Sequence, residues 1–381
     1  MSSLVLQKLA EVLVANGGVL SFRRFMELAL YHPDFGYYMT GRARIGREGD
    51  FVTSPELTSL FGELLTLQCV EIWELLDRPK PFCLVEMGGG TGRLSADLMT
   101  TARRFPGFFD ALSLVLVDTS PDFRARQEQL LLSCDVDLGK VSWRSDLPER
   151  VEHGVILGNE FLDALPIHWV EMGGEGLLEI GVSLNGEGGL KTVLIPPQPP
   201  MDEGYLVRAG IELAVGERTE VGLVAADWMR EAGRVLQNGV LLLIDYGDTA
   251  KEYHSPGRGA GRLVGHRGHE RIDDPLCFPG EMDLTAHVDF SAMVRAGQAG
   301  GLDLLGYTTQ GWFLLGLGIL ERLEQATRRM SEEAAMALRQ TAMRLMMPQE
   351  MGERFKVLAM GRGMKERGLS GFRLNDQRQR L

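Results

Sequence analysis

The chain has 381 residues, 44% of them hydrophobic, and 40 Lys plus Arg against 52 Asp plus Glu leave a net charge of −12. That length holds one large domain with insertions, or two ordinary ones, around a real core, and that sign of charge argues against nucleic acid or an anionic membrane as a partner. Cys69, Cys83, Cys134 and Cys277 stand far apart in apolar contexts with no CxxC pair, as reduced buried thiols do, so the chain reads as one of a reducing compartment, the bacterial cytoplasm first.

The opening MSSLVLQKLAEVLVANGG carries Glu11 inside its apolar pattern and has neither a basic leader nor an Arg-rich face, so it reads as a helix rather than a signal or transit peptide. Helices are predicted over 4–14, 22–30 and 56–76, the last opened by Thr53, Ser54, Pro55 and Glu56: a hydroxyl, an early proline and a glutamate. From Phe82 the rhythm becomes strand then helix. FCLVEM (82–87), SLVLVD (113–118) and GVILGN (154–159) predict strands, with helices over 94–104 and 122–132 between them. Residues 170–210 are richer in Gly and Pro, include PPQPP at 196–200, and read as an inserted excursion. A helix over 225–236 and a strand over 240–246 resume the pattern, and a loop-rich stretch follows over 247–285. A helix over 289–299 and two candidate strands, LDLLGYTTQ (302–310) and RFKVLAMG (354–361), come last. Short apolar strands alternating with helices imply an α/β fold with a parallel, Rossmann-like sheet covered on both faces. The division expected is a helical cap over 1–78 and a main domain over 79–381, with insertions at about 170–210 and 247–286. No apolar run reaches the length of a membrane span. His266 and His269 have no cysteine or acidic motif at ligand spacing and read as a solvated loop, so no metal is expected.

The stretch LVEMGGGTGR (84–93) carries the chemistry. Glycine after a strand and before a helix lets the backbone approach a ligand at the carboxyl edge of a parallel sheet, where the helix N-terminus offers free N–H groups. A phosphate-binding P-loop would end in Gly-Lys-Ser/Thr, and here the glycines run into Thr91, Gly92 and Arg93. The dinucleotide fingerprint would need glycine where Arg93 stands. What remains is Glu86-x-Gly88-x-Gly90-x-Gly92 with an acid, Asp118, at the end of the next strand. That is the layout of a fold that binds S-adenosylmethionine. The cofactor has no phosphate, so it needs close backbone approach, a carboxylate at its methionine end and Asp118 on the ribose hydroxyls.

GDFVTSPELTSLFGELL (49–65), EMGGGTGRLSADLM (86–99), SPDFRARQ (120–127), GNEFLDALP (158–166), DYGD (245–248) and PGEMDLTAHVDFSAM (279–293) together resemble the MidA-like methyltransferase family, from about residue 20 to about 355. The resemblance implies a class I methyltransferase sheet with a helical N-terminal region and inserted substrate-side elements. It also implies S-adenosylmethionine as cofactor and methylation of an arginine on a protein partner. In the family's mitochondrial members that partner is a subunit of respiratory complex I, whose assembly they assist. Oligomeric state is left open, a homodimer included.

Methyl transfer from a sulfonium is an in-line displacement, so the enzyme mainly positions a nucleophile. A guanidinium is protonated at ordinary pH, and carboxylates can draw its charge to one nitrogen while another proton leaves. Asn159, Glu160 and Asp163 follow the strand GVIL at the ligand-binding edge, and a helical turn would set Glu160 and Asp163 on one side as a fork. The alternative is that Asn159 and Asp163 cap the turn before Pro166. On the cofactor side, Asn159 and Thr53 join Glu86, the three glycines and Asp118 as expected contacts. Asp50, Thr53, Ser54 and Glu56 read as a lid over the cofactor, on the resemblance, or as a helix cap. Asp283 and His287 line the substrate side or cap the helix at Asp289, and Trp143 stacks near adenine or packs in the core. Two function classes stand: a protein arginine methyltransferase, and a non-catalytic assembly chaperone that keeps the fold. A small-molecule methyltransferase is a third. An intact glycine loop with Glu86, Asp118 and Glu160 favours an enzyme.

Overall fold

The three apolar runs read as strands form the middle of one sheet in a computed structural model that describes residues 3–43, 46, 49–50, 52–202, 204–255, 262–364 and 368–381. Phe51 of the segment 49–65 and residues 256–261 of the 247–286 insertion lie outside the described residues. The sheet's strands are β1 (Phe82–Met87), β2 (Leu112–Val117), β3 (Val141–Arg144), β4 (Gly154–Asn159), β5 (Gly239–Asp248), β6 (Asp303–Thr309) and β7 (Phe355–Arg362). Their order is β6-β7-β5-β4-β1-β2-β3. Strands β1 to β5 pair in parallel, and β7 runs antiparallel between β5 and β6.

The strands are apolar throughout because both faces are covered. Leu84, Leu114, Leu157 and Leu242 point into one core with Phe61 and Leu64 of the helix Ser59–Leu75 and Leu98 of the helix Arg93–Ala102. Val85, Ile156, Leu241 and Leu243 point into the other, against Met229 of the helix Leu223–Val235 and Phe290 of the helix Phe290–Ala299. Each such side chain contributes about 2 kcal/mol of burial, so the sheet is the stable base on which the loops at its carboxyl edge are mounted.

Four departures from the sequence reading stand out. The helix expected over 56–76 is two, Ser54–Leu57 and Ser59–Leu75. Thr58 is extended between them and its hydroxyl accepts from the N–H of Leu60 at 3.2 Å, so a local cap outcompetes a continuous helix. The excursion holds a five-stranded antiparallel sheet of His168–Met172, Leu177–Leu184, Leu190–Ile195 and Arg218–Val221, joined by the N-terminal strand Val19–Ser21. The helices Ser3–Ala15 and Phe22–Tyr31 pack on that sheet, with Leu9, Phe22 and Phe25 against Trp169, Ile180 and Val182. The loop-rich stretch holds a three-stranded sheet of Leu263–Arg267, Glu270–Ile272 and Asp283–Ala286. Helices at Gln310–Gly316, Ile319–Thr327 and Glu332–Met346 are further elements that the sequence reading passed over. Among the described residues no helix is long and apolar enough to cross a membrane.

At the amino edge of the central sheet, Gly154 of β4 is flanked by Cys83 of β1 and Gly239 of β5. A Cβ on Gly154 would sit 2.0 Å from the Cys83 carbonyl oxygen, a backbone atom that cannot step aside. Gly154→Ala should destabilise the protein by about 2 kcal/mol or more, seen as a lower urea midpoint at unchanged m-value. An unchanged midpoint would show that the strands can spread there.

Candidate active site

The chain leaves β1 through residues 88–92, where Gly88, Gly90 and Gly92 adopt φ of 60, 51 and 86°. These are left-handed values that glycine takes at no steric cost. Gly92 is also the N-cap of the helix Arg93–Ala102, and a Cβ there would lie 3.0 Å from the Cα of Gln127. Gly88 and Gly90 border a cavity of about 470 Å³ at the carboxyl edge of the sheet, whereas Gly92, expected as a cofactor contact, lies outside its lining and packs on Gln127. Its lining includes Glu86 and Gly88 to Thr91 from the glycine loop, Asp118 and Thr119 after β2, and Asn159, Glu160 and Phe161 after β4. Residues 145–147 after β3, which the sequence reading did not single out, complete the edge.

Glu86 is 3% exposed and accepts from the Ser95 hydroxyl. Burial, reinforced by the nearby Asp118, pushes its carboxyl up to about 7. Asp118 accepts from the Ser120 N–H and from the Gln127 amide, both at 2.9 Å, and burial raises it too. Gln127 is the residue that the sequence reading missed. It is fully buried, its amide also donates to the Gly90 carbonyl at 3.0 Å, and its oxygen accepts from the Trp143 indole N–H at 3.0 Å. The signal was present: Phe123, Gln127 and Leu131 are the buried residues of the helix Pro121–Ser133, spaced by four, and one of them is polar. Trp143 holds Gln127 and is absent from the cavity lining.

The segment after β4 is not the helical turn expected. Glu160 has φ 52°, and the N–H groups of Phe161, Leu162 and Asp163 converge on one oxygen of Asp245, at 3.2, 2.9 and 3.3 Å. A carboxylate collecting three N–H groups outweighs the local hydrogen bonds of a helical turn. The expected fork of Glu160 with Asp163 is thereby undone. Glu160 lines the cavity, where it accepts from the Asn159 amide at 3.1 Å and the Ser54 N–H at 3.4 Å. Asp163 is buried outside the lining, and its carbonyl accepts from the Ala286 N–H at 2.9 Å. Burial and the charge of Asp245 push Glu160 up to about 8. Burial also raises Asp245 and Asp283 to about 7 each, and carries Asp163 well above the carboxylate range with help from Asp245 and Asp283. Asp283 accepts from the Tyr38 hydroxyl at 2.6 Å, and Tyr38 lines the cavity.

Of the expected lid, Thr53 and Glu56 line the cavity. Thr53 makes no side-chain cap bond, and Glu56 accepts from the Thr91 hydroxyl of the glycine loop at 2.5 Å. Ser54 is buried and donates from its hydroxyl to Gln310 at 3.2 Å. Asp50 lies apart and accepts from the Tyr37 hydroxyl and the Gly268 N–H, both at 2.7 Å. His287 is also outside the lining, and burial drives its imidazole down to about 4. The helix Phe290–Ala299 is capped by Asp289, which accepts from Ala292 at 3.0 Å. Among the described residues no group of three or more His, Cys, Asp or Glu side chains is placed to hold a metal ion.

The donor set fits S-adenosylmethionine. Two residues of the lining carry a buried polar atom with no partner, the Asn159 Oδ1 acceptor and the Trp228 indole N–H. Carboxyl oxygens of Glu86 and Glu160 and the amide oxygen of Asn159 are acceptors for a cationic amino acid end, and Asp118 is placed for a diol. A pyrophosphate is poorly served, because the guanidinium of Arg93 is paired with Asp97 at 2.7 Å.

A family described as putative S-adenosyl-L-methionine-dependent methyltransferases matches residues 64–308. The mitochondrial protein arginine methyltransferase NDUFAF7 homolog of Drosophila melanogaster is 31% identical, covering 95% of this chain and 85% of its own length. The human protein arginine methyltransferase NDUFAF7 is 29% identical over 91% of this chain and 81% of its own length. Among solved structures, a Burkholderia thailandensis protein bound to S-adenosyl-homocysteine is 35% identical and superposes with a TM-score of 0.91 over 100% of this chain and 97% of its own. The same organism's protein in a native crystal form is 34% identical, with a TM-score of 0.89.

Two outcomes follow from this geometry. Above the ordinary carboxylate range, and up to about pH 7, Glu86, Glu160, Asp245 and Asp283 still hold protons when folded and have lost them when unfolded. Raised folded values give stability that is full below the unfolded carboxylate range and is lost as pH rises through 7 to 8, at up to about 1.4 kcal/mol per pH unit for each proton. The ligand-free protein should therefore lose thermal stability between about pH 6.5 and 8, and a flat or rising melting temperature there would show these groups ionised throughout. Gln127→Ala should weaken S-adenosyl-homocysteine binding by about tenfold, since it strips a partner from Asp118 and from the Gly90 carbonyl at once. Titration calorimetry reads this directly, and unchanged affinity would remove Gln127 from the site.

Proposed function

The chain belongs to the S-adenosyl-L-methionine-dependent methyltransferase family, and from that premise we propose that it methylates an arginine side chain of a protein. The observation that carries this reading is Glu160, a carboxyl held in the cofactor cavity by Asn159 and Ser54, with Asp245 close enough to raise it. Bound in this cavity, S-adenosylmethionine would supply an electrophilic methyl group. A guanidinium is the acceptor that suits a carboxyl so placed, because two of its N–H groups can meet the two carboxylate oxygens. Its positive charge also offsets the cost that burial imposes on ionised Glu160.

The proton balance agrees. A protonated guanidinium that gains a methyl group must release one proton to remain a single cation. The bound guanidinium favours ionised Glu160, and a carboxyl that burial raises to about 8 in the guanidinium's absence is a stronger base for that proton than an ordinary carboxylate. Asn159 fixes one Glu160 oxygen, so the other remains free to turn toward an acceptor. Thr53 and Glu56 face the glycine loop from the far side, and closing them excludes water from the nucleophile. The names of the relatives support a protein acceptor. A respiratory complex I subunit is the acceptor to test first, on the strength of the sequence resemblance.

Incubation with radiolabelled cofactor and host lysate, followed by amino acid analysis, tests the reading. Label in methylarginine is expected. Glu160→Gln keeps the shape and removes the charge, so it should slow transfer by about two orders of magnitude while S-adenosyl-homocysteine affinity changes little. A wild-type rate in that variant would move a small-molecule acceptor ahead. Absence of any transfer by a protein that binds the cofactor would favour a non-catalytic assembly role.

A further inference from the structure

A second cavity, of about 510 Å³, lies between the start of the helix Phe22–Tyr31 and the strand ends of the five-stranded sheet. It shares no lining residue with the cofactor cavity. Its polar lining is Asn16, Ser21, Arg23, Arg24, His168 and Gln198, with no carboxylate among them, in a chain whose net charge is −12. The PPQPP segment forms one wall through Pro196, Gln198 and Pro199.

His168 is the unusual member. It is 1% exposed, and its Nδ1 lies 2.9 Å from Glu179, itself fully buried. The second oxygen of Glu179 accepts from the Gln198 N–H at 2.8 Å, so the pair is locked against the wall. The other ring nitrogen, Nε2, is buried and has no partner. An orphaned polar atom of that kind costs about 1–3 kcal/mol, which a ligand atom bonded to it would relieve. At the rim, Arg23 and Arg24 both pair with Glu27, at 3.4 and 2.9 Å, so two guanidiniums answer one carboxylate.

We propose that this cavity binds an oxyanion, the phosphate or carboxylate group of a small molecule or partner, between the Arg23 and Arg24 guanidiniums and His168 Nε2. Arginine presents paired N–H groups at the spacing of two anionic oxygens. Glu179 holds the ring with Nδ1 turned away, which leaves Nε2 for the ligand. The apolar remainder of the lining, Val19, Leu20 and Ile195, suits an organic group attached to the anion.

The test uses the full chain at constant ionic strength with inorganic phosphate, and with acetate as the carboxylate arm. Saturable calorimetric binding of one of them at about 1 mM or tighter is expected. Arg24→Ala should weaken it by about tenfold and leave S-adenosyl-homocysteine affinity unchanged, which certifies the fold. His168→Gln should do the same, and if it fails to fold, the Nε2 resonance of His168 in histidine-labelled wild-type protein must shift on titration. No saturable binding of either ion, equal binding in wild type and Arg24→Ala, or an unmoved Nε2 resonance would each overturn the proposal.

Discussion

The course of the chain past Glu160 depends on one carboxyl group meeting three backbone N–H groups. Asp245, the seventh residue of β5, collects the N–H groups of residues 161–163 on one oxygen and that of Tyr246 on the other. A non-glycine residue in the left-handed region costs about 1–2 kcal/mol, and Glu160 occupies it. The cost is sustained because Asp245 sits at the end of a strand that cannot move. Strand β5 is hydrogen-bonded on both sides, to β4 and to β7, and is apolar to within one residue of Asp245. Rigid burial behind the edge thus becomes a defined side-chain direction at the edge.

The same arrangement explains why the site is acidic and dry. Glu86, Glu160, Asp163, Asp245 and Asp283 carry no lysine or arginine among their partners, and each is raised chiefly by burial. Such a cluster weakens the folded state. Of the five, Glu86 and Glu160 line the cavity, and with no basic partner in the protein they are free to answer a cationic ligand. The tyrosines follow the same logic: Tyr38 donates to Asp283, and Tyr31 donates to the Ala164 carbonyl at 2.9 Å.

The central sheet was legible because its signals are local. Short, mostly apolar runs such as FCLVEM and LSLVLV make strands whatever lies elsewhere, and the glycine spacing over 88–92 constrains the backbone by itself. Glu86, Asp118 and Glu160 could be named because the first lies at the end of such a strand and the other two directly follow one. What escaped was set by distance in sequence. Asp283 meets Tyr38 across 245 residues, and Asp245 meets residue 162 across 83. No periodicity announces either contact. Gln127 escaped for another reason: its role rests on two acceptors in two loops and a donor on β3, none of them near it in sequence. The antiparallel sheet was hidden because it is completed by a three-residue strand, Val19–Ser21, that pairs with residues more than 150 positions away.

That three-residue strand has a consequence for how the chain is made. Val19–Ser21 pairs with residues 181–183, and the Ser183 hydroxyl reaches back to the Gly18 carbonyl at 2.8 Å. The two helices beside it bury Phe22, Phe25 and Leu9 against side chains that are synthesised about 150 residues later. At ordinary elongation speeds of about 5–20 residues per second, the N-terminal segment waits about 10–30 s for its partner sheet to leave the ribosome. Its apolar faces are bare for that interval, long enough for a nascent-chain chaperone to bind and let go. Residues 19–25 are thus made well before the strand that seats them.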